Sequence, residues 1–120
     1  MNRNIIEDEY RRLGYRLGWR FMTAPARNMD RADVSIITLN PGGTAPHGPD
    51  WSAEDGSAYV TESWDGRPPG SDPLQRQIQR MCAILEILPD DVFSAHFVPF
   101  RSPDWASMPR KPEAVAFARR

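Results

Sequence analysis

The sequence has little of several features that mark specialised protein classes. It has one cysteine, Cys82, in 120 residues. That count excludes a disulfide framework, a cysteine-rich zinc site and an all-cysteine iron–sulfur cluster within this chain. No apolar run approaches the ~18 residues of a membrane span, and the N-terminus has no apolar core of signal-peptide length. We therefore expect a cytoplasmic protein without a membrane contact.

Net charge is also nearly absent, since 15 basic and 16 acidic residues give −1. No global electrostatic field therefore draws the chain to nucleic acid or to an anionic membrane, and any phosphate contact must be local. Lys111 is the only lysine. The arginine-rich composition has two explanations, a GC-rich genome or a preference for bidentate contacts with anions.

The N-terminal region predicts a helix near residues 4–14. Ile6, Tyr10 and Leu13 repeat at helical spacing, with acidic residues in the first turn and arginines later, which matches the helix dipole. The following residues 18–23 predict a short edge strand that ends before Pro25.

The clearest strand signal is the β-branched run from Val34 to Leu39, which stops abruptly at Asn40-Pro41-Gly42-Gly43. Such a run is typical of a buried strand, and Pro41 prevents further ladder pairing. The two glycines permit backbone angles and a close ligand approach that a side chain would block. Ligands of open α/β sheets bind at the carboxyl ends of strands, so we expect the binding site at this turn.

A second helix and strand follow. Asp72, Pro73 and Gln75 form a helix start with a capping box. The apolar stripe from Leu74 predicts a helix that continues to Leu88, where Pro89 stops it. Residues 92–100 then predict a second buried strand, and a right-handed parallel βαβ unit is the expected arrangement.

The stretch of residues 40–72 predicts a long ordered loop. It is rich in glycine and proline but contains the aromatic residues Trp51, Tyr59 and Trp64, which are rare in disordered segments. Its six acidic residues face a single arginine, Arg67. This charge favours a loop that lines a pocket over one that grips a phosphate backbone.

The expected fold is a single α/β domain over residues 1–120, with a parallel sheet between flanking helices in three layers. A last helix begins near Lys111 and Pro112. Two strands cannot cover a buried parallel sheet by themselves. We therefore expect the chain to be the N-terminal part of a larger domain, or to complete its sheet by self-association.

The ends of the two strands predict a polar site. The Asn40 side chain can accept from a water through its carbonyl, and the amides of the Pro41-Gly42-Gly43 turn can cradle an oxyanion. His96, in the second strand, could donate to a carbonyl oxygen or stabilise an anion that develops there. A purely structural turn and a core histidine are the alternative interpretations.

This arrangement resembles the uracil-DNA glycosylase superfamily. In that family the first strand ends in a motif of the type Gly-x-(Asp/Asn/Ala)-Pro-(Gly/Tyr), and Leu39-Asn40-Pro41-Gly42 looks like its Asn-Pro-Gly version. A long loop then supplies an aromatic residue that stacks on the base. By register, His96 occupies the position of an asparagine that reads the pyrimidine edge, and Val98-Pro99-Phe100-Arg101 continues as the family's strand exit does.

The resemblance implies a role for each site residue. Asn40 would position the attacking water, while Pro41, Gly42, His96 and one of Trp51, Tyr59 and Trp64 would bind the base. Gly43 and Arg101 would contact phosphate, and neither a metal nor an organic cofactor would be required. The family's other catalytic motif, a His- or Asn-Pro-Ser turn, is absent from these residues, and His96 departs from the usual asparagine.

The implied activity is hydrolysis of the bond between deoxyribose and a damaged or deaminated base in DNA, as in DNA repair, with the base flipped out of the stack. Two alternatives stay open. One is a module of the same fold that binds a nucleotide or nucleic acid without cleaving it, and the other is a hydrolase of free nucleosides.

Overall fold

A computed structural model describes residues 1–120 as an α/β protein with four helices and two strands. In chain order these are α1 (Arg3–Leu13), β1 (Ser35–Thr38), α2 (Ala58–Thr61), α3 (Pro73–Ile84), β2 (Phe93–His96) and α4 (Lys111–Ala118). No helix has both the length and the apolar character that a bilayer crossing requires.

The two strands pair side by side and in parallel. The amide of Phe93 donates to the carbonyl of Val34 at 3.0 Å, and the amide of Phe97 donates to that of Thr38 at 2.8 Å. Both strands therefore advance by four residues in the same direction between these two bonds, as parallel strands do. The prediction of an α/β protein with a parallel pair is confirmed.

The chain divides into two compact units. The first contains Met1–Phe21, Ile37–Trp51 and His96–Arg120, and the second contains Met22–Ile36 and Ser52–Ala95. Each unit has its own apolar cluster. The first cluster includes Ile6, Trp19, Phe100 and Phe117, and the second consists of Tyr59, Ile78, Cys82 and Val92.

Helix α1 confirms the predicted N-terminal helix, but it begins at Arg3, so the acidic residues predicted for its first turn lie further along the helix. The Asn2 side chain accepts a hydrogen bond from the Ile5 amide, and Gly14 ends the helix in the left-handed conformation with φ +77°. The predicted edge strand at residues 18–23 is wrong as a regular strand. Trp19, Arg20 and Met22 form isolated bridges with three different partners, Phe100, Asp50 and Ala95, because no single neighbouring strand runs beside the whole stretch.

Helix α3 starts as predicted and ends early. The capping box between Asp72 and Gln75 is formed, but the helix stops at Ile84 instead of continuing to Leu88. Glu86 adopts a left-handed conformation with φ +57°, which is incompatible with a continued helix. The predicted apolar stripe is also largely exposed, at 43% for Leu74, 51% for Leu85 and 67% for Leu88. The residues that α3 buries are Gln75, Ile78 and Cys82.

The predicted loop over residues 40–72 contains one helical turn, α2, that the sequence pattern did not indicate. The Ser57 side chain caps it by accepting from the Tyr59 amide. The buried Gln75 side chain donates to the carbonyls of Ala58 (3.0 Å) and Glu62 (2.7 Å). These bonds from α3 satisfy the main chain of the short turn, and the predicted order of this loop agrees with that arrangement.

Candidate functional site

The Asn40 side chain is fixed by its amide nitrogen. Nδ2 donates to the carbonyl of Phe100 at 3.0 Å and lies 2.7 Å from Oγ of Ser102. Because a main-chain carbonyl can only accept, the nitrogen and not the oxygen must face Phe100. The Oδ1 oxygen accepts no hydrogen bond from the protein. Asn40 therefore presents a fixed acceptor at the end of β1.

Residues 40–43, which we call the Asn40 turn after the prediction, form an irregular connection and not a hydrogen-bonded turn, and they are braced from the segment after β2. The carbonyl of Pro41 accepts from the Ser102 amide at 3.0 Å, and the carbonyl of Gly42 accepts from Nη1 of Arg101 at 2.9 Å. Both bonds join positions about 60 residues apart in the chain. The turn is consequently held by tertiary contacts as well as by its own proline and glycines.

The two glycines of the turn have different surroundings. A Cβ on Gly43 would lie 3.1 Å from Cδ of Arg101, and φ there is +141°. A Cβ on Gly42 would meet no atom within 4 Å, and this residue is exposed. The positive φ of Gly43 therefore favours glycine, and a Cβ there would also have to displace the Arg101 side chain slightly, whereas Gly42 leaves open space in front of the turn.

The Arg101 side chain contacts other residues of the first unit. Its side chain is 11% exposed, and Nη2 lies 3.7 Å from Oδ2 of Asp50. Together with the bond to Gly42, this ion pair gives Arg101 a bracing role. The phosphate contacts predicted for Gly43 and Arg101 stay predictions.

His96 is buried at the end of β2. Its amide donates to the carbonyl of Phe21 at 2.8 Å, and its Nδ1 lies 2.7 Å from Oγ1 of Thr38. The Thr38 hydroxyl can either donate or accept this hydrogen bond, so it fixes the orientation of the imidazole ring. Which of the two groups donates depends on whether Nδ1 carries the proton. The parallel pairing thus brings Asn40 and His96 to the same end of the strand pair.

The three aromatic residues proposed for base stacking fall into different units. Trp51 belongs to the first unit, where its ring packs on Phe21 with centroids 5.1 Å apart. Tyr59 and Trp64 belong to the second unit and pack edge to face at 5.6 Å. Tyr59 is 2% exposed. Trp51 is thus the only one of the three in the unit that carries Asn40 and His96.

Sequence reasoning missed two residues that position the site, Thr38 and Ser102. Thr38 orients His96, and Ser102 holds both Asn40 and the carbonyl of Pro41. A polar residue within the predicted apolar strand was the available signal for Thr38. The predicted burial of that strand is wrong, because β1 alternates between exposed and half-buried residues and Ile37 is 54% exposed. Ser102 gave no comparable signal, because its partners lie far away in the chain.

No group of three or more histidine, cysteine, aspartate or glutamate side chains has the geometry to hold a metal ion. In the comparisons with known proteins, no family model, curated protein or solved structure matches this chain. The functional assignment therefore depends on the residues and their geometry.

Proposed function

We propose that this chain is a uracil-DNA glycosylase-like protein of three-layer α/β/α architecture, which hydrolyses the N-glycosidic bond of a damaged or deaminated base in DNA. The observation that carries the proposal is the hydrogen bonding of the Asn40 side chain. Its amide nitrogen is used by Phe100 and Ser102, while its carbonyl oxygen is open at the strand end. A fixed acceptor of this kind can orient a water without reorganising during the reaction.

The proposed reaction begins with a base flipped out of the duplex. The bond between the base nitrogen and C1′ breaks with its electron pair leaving on the base, and the sugar becomes oxocarbenium-like. A water held by Oδ1 of Asn40 bonds to C1′ and gives up a proton to solvent or to the departing base. His96 stabilises the negative charge on that base by a hydrogen bond.

Two features of the first unit support binding of a flat, polar ligand. The Cβ position of Gly42 faces open space, so a ligand can approach the backbone there. Trp51, packed on Phe21, offers an aromatic surface in the same unit as Asn40. In this proposal Gly42 contacts the edge of the base, whereas Pro41 is buried and supports the backbone behind it. Trp51, and neither Tyr59 nor Trp64, is the residue that stacks on the base.

A second candidate function is non-catalytic binding of a nucleotide or nucleic acid by the same turn. It is favoured by the internal bonds of the turn, because the Asn40 amide and the Pro41 and Gly42 carbonyls all serve the fold. Folding alone thus gives a reason for these residues, whereas catalysis is needed only to explain the open Oδ1.

The test measures base release and DNA binding on the same samples. The full chain is incubated with oligonucleotides that contain uracil or another deaminated base, and free base is quantified by chromatography. We expect Asn40→Ala to lower the rate of release by about 100-fold or more, since one positioning group contributes roughly that factor. Fluorescence anisotropy should show that the variant still binds the oligonucleotide.

Gly42→Ala is the matched variant. Its methyl group meets no protein atom, so it should leave the melting temperature unchanged and weaken ligand binding only if a ligand approaches the turn. Undiminished base release by Asn40→Ala would refute the role of Asn40. Binding without any release by the unmodified chain would establish the non-catalytic function instead.

A further inference from the structure

The near-zero net charge of the chain conceals a separation of charge between its two units. The first unit has ten basic and six acidic residues, a net charge of +4. The second has five basic and ten acidic residues, a net charge of −5. The unit that carries the Asn40 turn is therefore basic, and its own field attracts polyanions.

Within the first unit, two arginines contact one buried carboxylate and a third lies nearby. The Glu9 side chain is 8% exposed, and Arg12 contacts it through Nε at 2.6 Å and Nη2 at 2.8 Å. Arg120 contacts the same carboxylate through Nη2 at 3.2 Å. Arg110 lies beside them, where its Nη1 is 3.4 Å from the carbonyl of Leu13. We call these three residues the arginine cluster.

The arginine cluster carries more positive charge than the protein neutralises. Glu113, 3.9 Å from Arg110, is the other carboxylate that pairs with it. Three cations thus meet two carboxylates. Arg16 and Arg119, which lie near the cluster members in sequence, are exposed and form no ion pair.

The cluster is also accessible and held in place. The Arg12, Arg110 and Arg120 side chains are 60%, 46% and 64% exposed. The buried carboxylate of Glu9 holds one edge of two guanidinium groups, so their remaining N–H donors face solvent in a fixed arrangement. An arginine fork matches the oxygens of a phosphate group, and a fork already held loses less entropy on binding.

We propose that the arginine cluster binds the phosphate backbone of DNA and positions the duplex on the first unit. This inference rests on the proposed function only in taking DNA as the partner. Contacts of this type carry no sequence information, and each releases counterions from the DNA. The cluster therefore supplies affinity and register, while recognition of a base belongs to the Asn40 turn.

The test is the salt dependence of binding to a labelled duplex of about 20 base pairs, measured by fluorescence anisotropy between roughly 50 and 200 mM salt. The first variant replaces the cluster with glutamine at all three positions: Arg12→Gln, Arg110→Gln and Arg120→Gln. The matched control removes three exposed arginines of the second unit that form no ion pair: Arg27→Gln, Arg76→Gln and Arg80→Gln.

For the cluster variant, the slope of log K against log salt should become shallower by about 2 to 3, at about 0.9 for each lost phosphate contact. The control should keep the full slope. Because removal of Arg12 leaves Glu9 without its main partner, circular dichroism must show that the triple variant is folded. Arg110→Gln alone preserves both contacts to Glu9 and should reduce the slope by about 0.9.

Three results would overturn the proposal. The first is an unchanged slope in Arg110→Gln and in the folded triple variant, and the second is an equal loss in the control. In the third, inorganic phosphate displaces the duplex, whereas chloride at the same ionic strength does not. That result would show that the cluster is a site for small anions. Asn40→Ala should keep the full slope, so failure of base release and failure of backbone binding are distinguishable.

Discussion

The close approach between Gly18 and the segment around His47 predicts a large difference between two glycine substitutions. A Cβ on Gly18 would lie 1.9 Å from the carbonyl oxygen of His47, and φ is +90°. Gly14 also has a positive φ, +77°, but its Cβ would meet nothing within 4 Å. Gly14→Ala therefore reports the backbone strain alone, whereas Gly18→Ala adds the collision.

The magnitude follows from what must move. A left-handed alanine costs about 1–2 kcal/mol, which both variants incur. Relief of the collision in Gly18→Ala must also displace the hydrogen bonds from the His47 amide to Leu17 and from the Arg101 amide to Gly18, each 3.1 Å long. At about 1 kcal/mol for each bond, Gly18→Ala should lose about 3–4 kcal/mol of unfolding free energy, about 2 more than Gly14→Ala.

The assay is urea unfolding followed by circular dichroism, with thermal melting as a second measure. A difference of about 2 kcal/mol corresponds to a difference in melting temperature of roughly 8 °C for a chain of this size. Equal losses in the two variants would refute the reasoning, because they would mean that the segment around His47 does not pack against Gly18.

Two further predictions concern the interior of each unit. Gln75→Leu removes the hydrogen bonds that the Gln75 amide donates to Ala58 and Glu62 and the one that its oxygen accepts from the Asp72 amide, so it should cost about 2–3 kcal/mol in urea unfolding, at about 1 kcal/mol for each bond. Both carbonyls keep a main-chain donor, the Glu62 amide for Ala58 and the Gly70 amide for Glu62. A loss below about 1 kcal/mol would contradict the buried bonds. In the first unit, the hydrogen bond from Arg12 holds the pKa of Glu9 below its ordinary value, although burial opposes this shift. A depressed pKa in the folded state adds stability above the unfolded pKa of about 4.3, and that stability is lost as the pH falls through the folded value. Glu9→Gln should therefore flatten the acid limb of melting temperature against pH, and an unchanged limb would show that other carboxylates govern it.

Local signals in the sequence predicted α1, β1 and the start of α3. Each of these signals acts over a few residues, as when Asp72 and Gln75 cap one another's backbone. The end of α3 was misjudged because the apolar spacing continues through Leu88. Spacing indicates which residues would share a face if the helix continued, but it carries no information on whether a surface is present to cover them.

The sequence by itself determined that β1 ends before Asn40-Pro41-Gly42-Gly43, because proline and glycine restrict or free the backbone wherever they occur. Only the tertiary structure decided which atoms of that turn are used and which are open. The partners of Asn40 are Phe100 and Ser102, about 60 positions away, and no local pattern specifies them. The charge separation has the same origin. The sequence shows only a net charge of −1, and the arginines come to lie near Glu9 when α1 and α4 are folded into one unit.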